Sequence, residues 1–357
     1  MGKITRLELE NFTCFAKLDL AFSNGVNVLI GVNGTGKTHI LKVLYAACAI
    51  TVGEGKGKHY DDKLCDVFSP YGGDYARLCR HPITRHDFSQ VNTFDDKSDL
   101  PHDALRVSIG SDNAILQFGA FSGNEGTSAA LLKHSTWVEH CLESVYIPAK
   151  EMLAHAPGFI SLTAKREIAF EEVYVDILKQ AYLPKLKTLP NEVYVKLHSD
   201  LGKAIGGEVI IKGEHFFLKT KQGEIEFSLL AEGVRKLALI WLLIQNGALN
   251  PGTLLFWDEP EANLNPSLIG LVVETILELQ RQGVQVFLTT HNYVLLKEFD
   301  LCKKEDDAVR YISLFRNDSG SVTAESSDVY TGISPNAISD TFADLYQRDI
   351  ARALRRA

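Results

Sequence analysis

Gly31-Val-Asn-Gly34-Thr-Gly36-Lys37-Thr38 stands between an apolar run and a helical pattern. The eight residues fit G-x-x-x-x-G-K-[ST], a loop whose backbone N–H groups wrap the phosphates of a nucleotide. Its glycines allow positive-φ backbone and a close approach to those phosphates. Lys37 is placed to reach the β- and γ-phosphates, and the Thr38 hydroxyl to take one Mg²⁺ position. Gly25-Val-Asn-Val-Leu-Ile30 before the loop reads as a buried strand, and His39 to Cys48 after it as a helix with apolar spacing. That helix aims its N-terminus, and so its partial positive charge, at the phosphates. ATP is the expected ligand, with Asn33, Gly34, Gly36, Lys37, Thr38 and His39 as candidate contacts and Lys37 also facing the reacting phosphate.

A chain of 357 residues is long for one ordinary domain but fits a single nucleotide-binding core with insertions. A hydrophobic share of 45% suits a soluble protein with a sizeable core. The formal net charge of −8 means that any DNA contact has to come from a local basic patch. Cys14, Cys48, Cys65, Cys79, Cys141 and Cys302 are scattered, with no C-x-x-C and no His spacing that suggests zinc. They read as reduced thiols of a cytoplasmic protein. The N-terminus has no apolar signal core and no apolar run is long enough to span a bilayer, so no membrane partner is expected.

Lys3 to Glu10 alternates apolar and polar residues as a half-buried strand does; Asn11 to Phe15 interrupts the pattern and Leu18 to Phe22 resumes it. Gly53 to His59 is rich in Gly and Lys and is expected to be a mobile loop. The stretch from Lys63 to His86 carries Arg77, Arg80, His81, Arg85 and His86, then gives way to Asp95, Asp96 and Asp99. It reads as a small phosphate-binding patch or, more plainly, as a self-compensating solvated surface. Leu105 to Ile109 and Ala114 to Phe118 fit an antiparallel β arm. Glu143 to Ile147 is a core strand stopped by Pro148, which puts Lys150 at a strand end, where α/β folds gather their ligand chemistry. Residues 161 to 205 read as a helical insertion. Ser161 or Thr163 caps a helix through Leu178, and Val193, Leu197, Leu201 and Ile205 repeat at i+4. With no sustained heptads this is a compact lid or docking subdomain and not a coiled coil.

Glu208 to Ile211 and Phe216 to Lys219 form a hairpin, leading through Glu226 to Leu230 into a helix opened by Ala231-Glu232-Gly233. Leu254-Leu-Phe-Trp-Asp258-Glu259-Pro260 reads as a central parallel strand buried on both faces. It ends in two carboxylates, Asp258 to hold Mg²⁺ and Glu259 to orient the attacking water. Core packing alone would not put them there, because unpaired buried charge is costly. A helix from about Pro266 to Gln282 and a buried strand from Val284 to Thr290 follow, with His291 at the strand end. A last β segment runs from Ala308 to Phe315. Ser334-Pro335 starts a terminal helix with Ile338, Phe342, Leu345 and Ile350 on one face. Arg348, Arg352, Arg355 and Arg356 crowd its last turns. The helix C-terminus favours cations there, and a partner or DNA contact would explain the rest.

The β entry with its aromatic turn, followed at once by the P-loop strand, resembles the heads of the RecF/SMC/Rad50 group of ABC-type ATPases. The order of P-loop, Leu230-Ala-Glu-Gly233, Asp258-Glu259 and His291 is similar to that group as well. The resemblance implies an α/β fold: an ABC-type ATPase head, with a P-loop parallel core sheet and antiparallel β arm, plus a helical insertion. Residues 1–150 would be the N-terminal part of the core, 151–206 the insertion, 207–316 the C-terminal part and 317–357 a tail and helix. The resemblance places Asn11 and Phe12 on the adenine side of the pocket, although Phe12 and Phe15 read equally well as core. It makes Glu232 and Gly233 a signature helix N-terminus that meets the γ-phosphate held by a second copy, and His291 the switch histidine at that phosphate. Glu261 to Pro266 falls where the group has its D-loop, which crosses the dimer interface. Two departures stand out. The coiled-coil arm is missing, and the signature Ser is replaced by Ala231, so one γ-phosphate hydrogen bond is lost unless Ser228 supplies it.

Asp258-Glu-Pro-Glu-Ala-Asn-Leu-Asn-Pro266 resembles the AAA15/AAA21 group, which includes the ATPases of OLD, Septu (PtuA-like) and related anti-phage systems. That implies an ATPase, with ATP and Mg²⁺, forming a homodimer through the ATP sites or a higher homo-oligomer. It implies slow hydrolysis that senses or gates a separate nuclease or toxin subunit, docked on the 161–205 insertion or on the terminal helix. The other expectations are a RecF-like repair ATPase that binds DNA, and a nucleotide-gated scaffold with little hydrolysis.

Overall fold

The computed structural model describes residues 2–56, 58–81, 104–120, 127–133, 136–166 and 170–355. Arg85, His86, Asp95, Asp96, Asp99 and Arg356 lie outside them. Five-residue strands with no polar face build the centre: β3 (Val26–Ile30) and β11 (Leu254–Asp258) are buried along their whole length. Such runs belong in a sheet covered on both sides. They join β7 (Ser144–Ile147), β12 (Gln285–Thr290), β13 (Val309–Arg316) and β14 (Val322–Ser327) in the order β14-β13-β3-β12-β11-β7. All neighbours pair parallel except the β13–β14 edge pair.

A second sheet is antiparallel throughout, in the order β2-β1-β4-β5-β6. Its strands are β1 (Arg6–Phe12), β2 (Phe15–Ala21), β4 (Ala104–Ile109), β5 (Asp112–Ala120) and β6 (Thr127–Lys133). Here the alternation in β1 has its expected consequence: Leu7, Leu9 and Phe12 are buried while Arg6 is exposed. The P-loop helix α1 (Lys37–Ala49) lies between the two sheets, sharing one apolar cluster with Leu9, Phe15, Leu105 and Phe256. A second cluster joins the other face of the parallel sheet to α5 (Glu192–Ile205), α6 (Glu232–Gln245) and α7 (Ile269–Arg281). The expected hairpin is part of a third, antiparallel sheet of β8 (Glu208–Lys212), β9 (His215–Thr220) and β10 (Gly223–Glu226). The expected α/β class, with its parallel core sheet and antiparallel partner, is what is found.

Two local expectations change. The helix expected from Ser161 or Thr163 to Leu178 is two helices, α3 (Phe159–Arg166) and α4 (Glu172–Ala181). Neither hydroxyl residue caps. Both sit inside α3, where Thr163 Oγ1 donates back to the Phe159 carbonyl at 3.0 Å, as a mid-helix threonine does. The basic stretch after residue 60 forms, in part, an unanticipated helix α2 (Tyr60–Phe68). Lys63 on it is buried between Glu172 and Asp176 of α4 at 2.6 and 2.8 Å. Arg80 donates to the Cys14 carbonyl at 2.7 Å. Lys63 is thus charge-compensated but buried, not part of a solvated surface, and Arg80 serves to tie the chain to the β1–β2 turn.

Candidate functional site

β3, β12 and β11 end side by side, and the loops that leave them make the site. Gly31, Gly34 and Gly36 carry positive φ, and Gly36, at +84°, closes the loop as the residue before α1. A side chain at Gly36 would collide with Phe15 and Cys14, so the β1–β2 turn is packed directly on the P-loop. Arg316, at the end of β13, pins the loop from the other side by donating to the Gly34 carbonyl at 3.0 Å. Lys37 is buried and folds back on its own loop, with Nζ donating to Gly31 O at 2.7 Å and Val32 O at 3.2 Å. Burial pushes its ammonium below the usual lysine range, against the pull of Glu259, Asp258 and Glu261.

The parallel register sets Asp258 opposite Thr289. Asp258 accepts from Thr38 Oγ1 at 2.9 and 3.1 Å through its two oxygens, and from Thr289 Oγ1. Burial raises its pKa, while the two hydroxyls favour the carboxylate. Thr289 Oγ1 also accepts the Glu259 N–H at 3.0 Å. Glu259 itself has φ +47°, an uncommon conformation for glutamate, and its Oε1 lies 3.0 Å from His291 Nδ1. Lys37, Thr38, Asp258, Glu259 and His291, read separately along the chain, thus meet in one place.

Beside them opens a cleft of about 370 Å³ lined by Cys14, Asn33, Gly34, Lys37, Thr38 and Glu259. They fit Mg²⁺·ATP on the geometry of this chain. A buried carboxylate and a hydroxyl converge, the kind of sparse protein donor set Mg²⁺ takes beside phosphates. The loop beyond them offers an ammonium whose hydrogen-bond acceptors, among the described residues, are the loop's own carbonyls. Gly34 has open space over its Cα, where phosphate oxygens can approach.

Other expected contacts lie elsewhere. Phe12 is fully buried, edge-on to Phe68 at 5.7 Å, and Asn11 exchanges hydrogen bonds with the backbone of His81. The cleft receives Cys14 from that turn instead. His39 borders the cleft, but burial depresses its imidazole to about 4, so it stands neutral there. Lys150 is exposed beyond β7, outside the cleft, while its neighbour Glu151 turns inward to Arg235 Nε at 2.8 Å. Glu232 and Gly233 open α6, whose N-cap Ala231 makes no side-chain cap bond, and Ser228 lies on the preceding turn, 3.4 Å from Glu226. Gly233 packs so closely on the backbone of Asn263 and Leu264 that a methyl group would not fit. Within one copy α6 is thus fixed to the 261–266 loop, outside the P-loop cleft.

Residues that the sequence reading passed over complete the site. Thr289 ties Asp258 to the Glu259 backbone, and Thr290 donates to Glu261 at 2.6 Å. Lys236, almost fully buried on α6, reaches the Glu259 carbonyl at 3.4 Å. The available signal was two threonines at the end of a strand parallel to the Asp-Glu strand. Thr289→Val is expected to cost about 1–3 kcal/mol, because the Glu259 N–H loses its acceptor and the buried Asp258 carboxylate loses one of its hydroxyl donors. Turnover falls with it, because Glu259 loses its backbone anchor. Denaturant melts and ATP turnover of the variant check both.

Comparison with known proteins agrees with this geometry. Residues 121–297 match the family model described as "AAA domain, putative AbiEii toxin, Type IV TA system", and residues 2–49 match the one described as "AAA ATPase domain". The chain carries an AAA-type ATPase domain. RecF, a DNA replication and repair protein of Limosilactobacillus reuteri (strain DSM 20016), is 26% identical over 243 residues, 62% of this chain and 54% of that protein. Structural maintenance of chromosomes protein 6A of Arabidopsis thaliana is 48% identical over 46 residues, 13% of this chain and 4% of that protein. The matched part of the ATPase domain thus spans between 4% and about half of these relatives' own lengths. The solved SmcHead bound to the C-winged helix domain of ScpA superimposes with a TM-score of 0.52 at 15% identity, over 91% of this chain and 97% of that one. The fold of the ATPase domain is therefore that of an SMC head. Among the described residues no helix is long and apolar enough to cross a membrane.

Proposed function

We propose that the chain binds Mg²⁺·ATP in the P-loop cleft, hydrolyses it slowly, and uses the cycle to gate a separately encoded nuclease or toxin in anti-phage defence. The observation that carries the ATPase part is the pair of hydrogen bonds joining Thr38 to Asp258, which unites P-loop and Asp-Glu strand in one metal and phosphate site. Lys37 would exchange its loop carbonyls for β- and γ-phosphate oxygens. Thr38 and Asp258 would hold Mg²⁺, which when bound neutralises phosphate charge. Glu259, steadied by His291 and Thr289, would orient water and take its proton. The open N-terminus of α6 from a second copy would complete the phosphate site.

The gating part is supported by the toxin–antitoxin family model and by the resemblance of residues 258–266 to anti-phage ATPases. In this reading 1–150 and 207–316 form the head, 151–206 presents the effector-docking surface, and 317–357 is a separate terminal element. The test is phage plating on cells carrying this gene with its neighbours, wild type against Lys37→Ala. Protection that needs Lys37 supports gating, and equal protection contradicts it. The alignment with RecF over 62% of this chain favours a second reading, a repair ATPase. ATP-dependent binding of gapped DNA by the isolated chain would select it.

Ala231 accounts for the slow rate. A hydrogen bond to a charged phosphate oxygen contributes about 1.5–3 kcal/mol, so Ala231→Ser is expected to raise turnover about ten- to hundredfold. Steady-state phosphate release measures it. An unchanged rate would show that another donor, such as Ser228, already fills the role.

A further inference from the structure

The dipeptide Asn-Gly occurs three times in the chain, at Asn24-Gly25, Asn33-Gly34 and Asn246-Gly247. In such a pair the glycine amide can attack the asparagine side chain, because no Cβ shields the nitrogen. The fold treats the three pairs differently. Asn246 is buried, its Nδ2 donates to Gln180 O at 2.8 Å and its Oδ1 accepts from Ala248 N at 3.1 Å. The Gly247 N–H is taken as well, donating to Ile244 O at 3.3 Å. Asn24 is exposed, but Gly25 is buried and its N–H donates to Ser23 Oγ at 3.2 Å. A Cβ added at Gly25 would stand 2.2 Å from Ala308 O. Asn33-Gly34, in the P-loop, has none of these restraints. Both residues are exposed, and among the described residues nothing pairs with the Asn33 side chain or accepts from the Gly34 N–H. The space over the Gly34 Cα is open, and Arg316 sets a guanidinium on the Gly34 carbonyl at 3.0 Å. A positive charge there favours the deprotonated amide that attacks.

We propose that Asn33 is a deamidation site and that bound nucleotide protects it. The Gly34 nitrogen bonds to Asn33 Cγ as the Cγ–Nδ2 bond breaks, and Nδ2 takes the amide proton and leaves as ammonia. Water then opens the five-membered imide at either carbonyl. Asn33 becomes aspartate, or isoaspartate where the chain continues through the side chain; one water enters and one ammonia leaves. Neither product suits the loop. Aspartate sets a negative charge where phosphates are to lie, and isoaspartate adds a methylene to the backbone at residue 33. The Gly34 N–H that attacks is also one that a phosphate would hold, so an occupied loop offers no free nucleophile. Empty copies therefore lose their site with time, while loaded copies keep it. The protection rests on the ATP reading above; the deamidation does not.

Tandem mass spectrometry of the full chain, aged at mildly alkaline pH without nucleotide, tests it. Fragment ions should place the mass gain of an NH-for-O exchange on Asn33, with Asn24 and Asn246 unmodified, and the aged chain should become a substrate for isoaspartyl methyltransferase. Asn33→Gln should lose the signal, since its larger ring closes far more slowly, and circular dichroism melts check that this variant is folded. Mg²⁺·ATP in large excess over its dissociation constant should slow the reaction about tenfold or more in the wild type and leave Lys37→Ala unprotected. Asn33→Asp, which carries one of the two products from synthesis, should bind ATP about tenfold more weakly or worse. An Asn33 that survives ageing, or modification shared equally with Asn24 or Asn246, would overturn the proposal. An unchanged rate with ATP shown by calorimetry to be bound would overturn the protection. A chain that deamidates at Asn33 but binds no ATP would instead overturn the cleft reading and leave the modification standing.

Discussion

Lys37→Ala is expected to weaken ATP binding by about two to four powers of ten. The ammonium sits where two phosphates are to be held, and its present partners, the Gly31 and Val32 carbonyls, are a resting substitute. Each charge-assisted hydrogen bond contributes about 1.5–3 kcal/mol, and two are lost together. Asp258, Glu259 and Glu261 surround the position, and without Lys37 their negative charge faces the phosphates directly. The loss should exceed what the hydrogen bonds alone give at low salt and shrink as salt rises. Titration calorimetry at two salt concentrations measures both. Undiminished affinity would remove the assignment of the cleft.

The second large effect is expected from Glu259→Gln, which should lower turnover by about two to four powers of ten while leaving ATP bound. The amide keeps the size of the side chain and its reach to His291, and the metal position at Thr38 and Asp258 is untouched. What disappears is the acceptor for the proton of water. Because hydrolysis would normally remove the γ-phosphate that links two copies, the variant should accumulate the linked state. Single-turnover measurement with radiolabelled ATP separates this from a binding defect.

Much of the site was legible because its chemistry depends on local pattern. A P-loop is one contiguous stretch, and a strand such as Leu254–Asp258 declares itself by being apolar throughout and ending in two carboxylates. Thr289 was not legible in the same way. A threonine in a strand is ordinary, and only the parallel register opposite Asp258 makes it a tie. Lys236 was hidden because a lysine on a helix usually reaches water, whereas here the helix packs on the 261–266 loop and buries it. Phe12 shows the reverse case: the aromatic was visible, yet a residue on the inner face of β1 is claimed by the core before any base can stack on it. The terminal helix was legible as amphipathic, and its apolar face beyond Ile338 is largely exposed. Periodicity identifies a face without naming what covers it.

The central claim is that each ATP is held between the P-loop of one copy and the α6 N-terminus of another. Static light scattering of Glu259→Gln with saturating Mg²⁺·ATP and with Mg²⁺·ADP tests it most directly. The account predicts twice the monomer mass with ATP and the monomer mass with ADP. A monomer in both, with nucleotide occupancy confirmed in each, would contradict it.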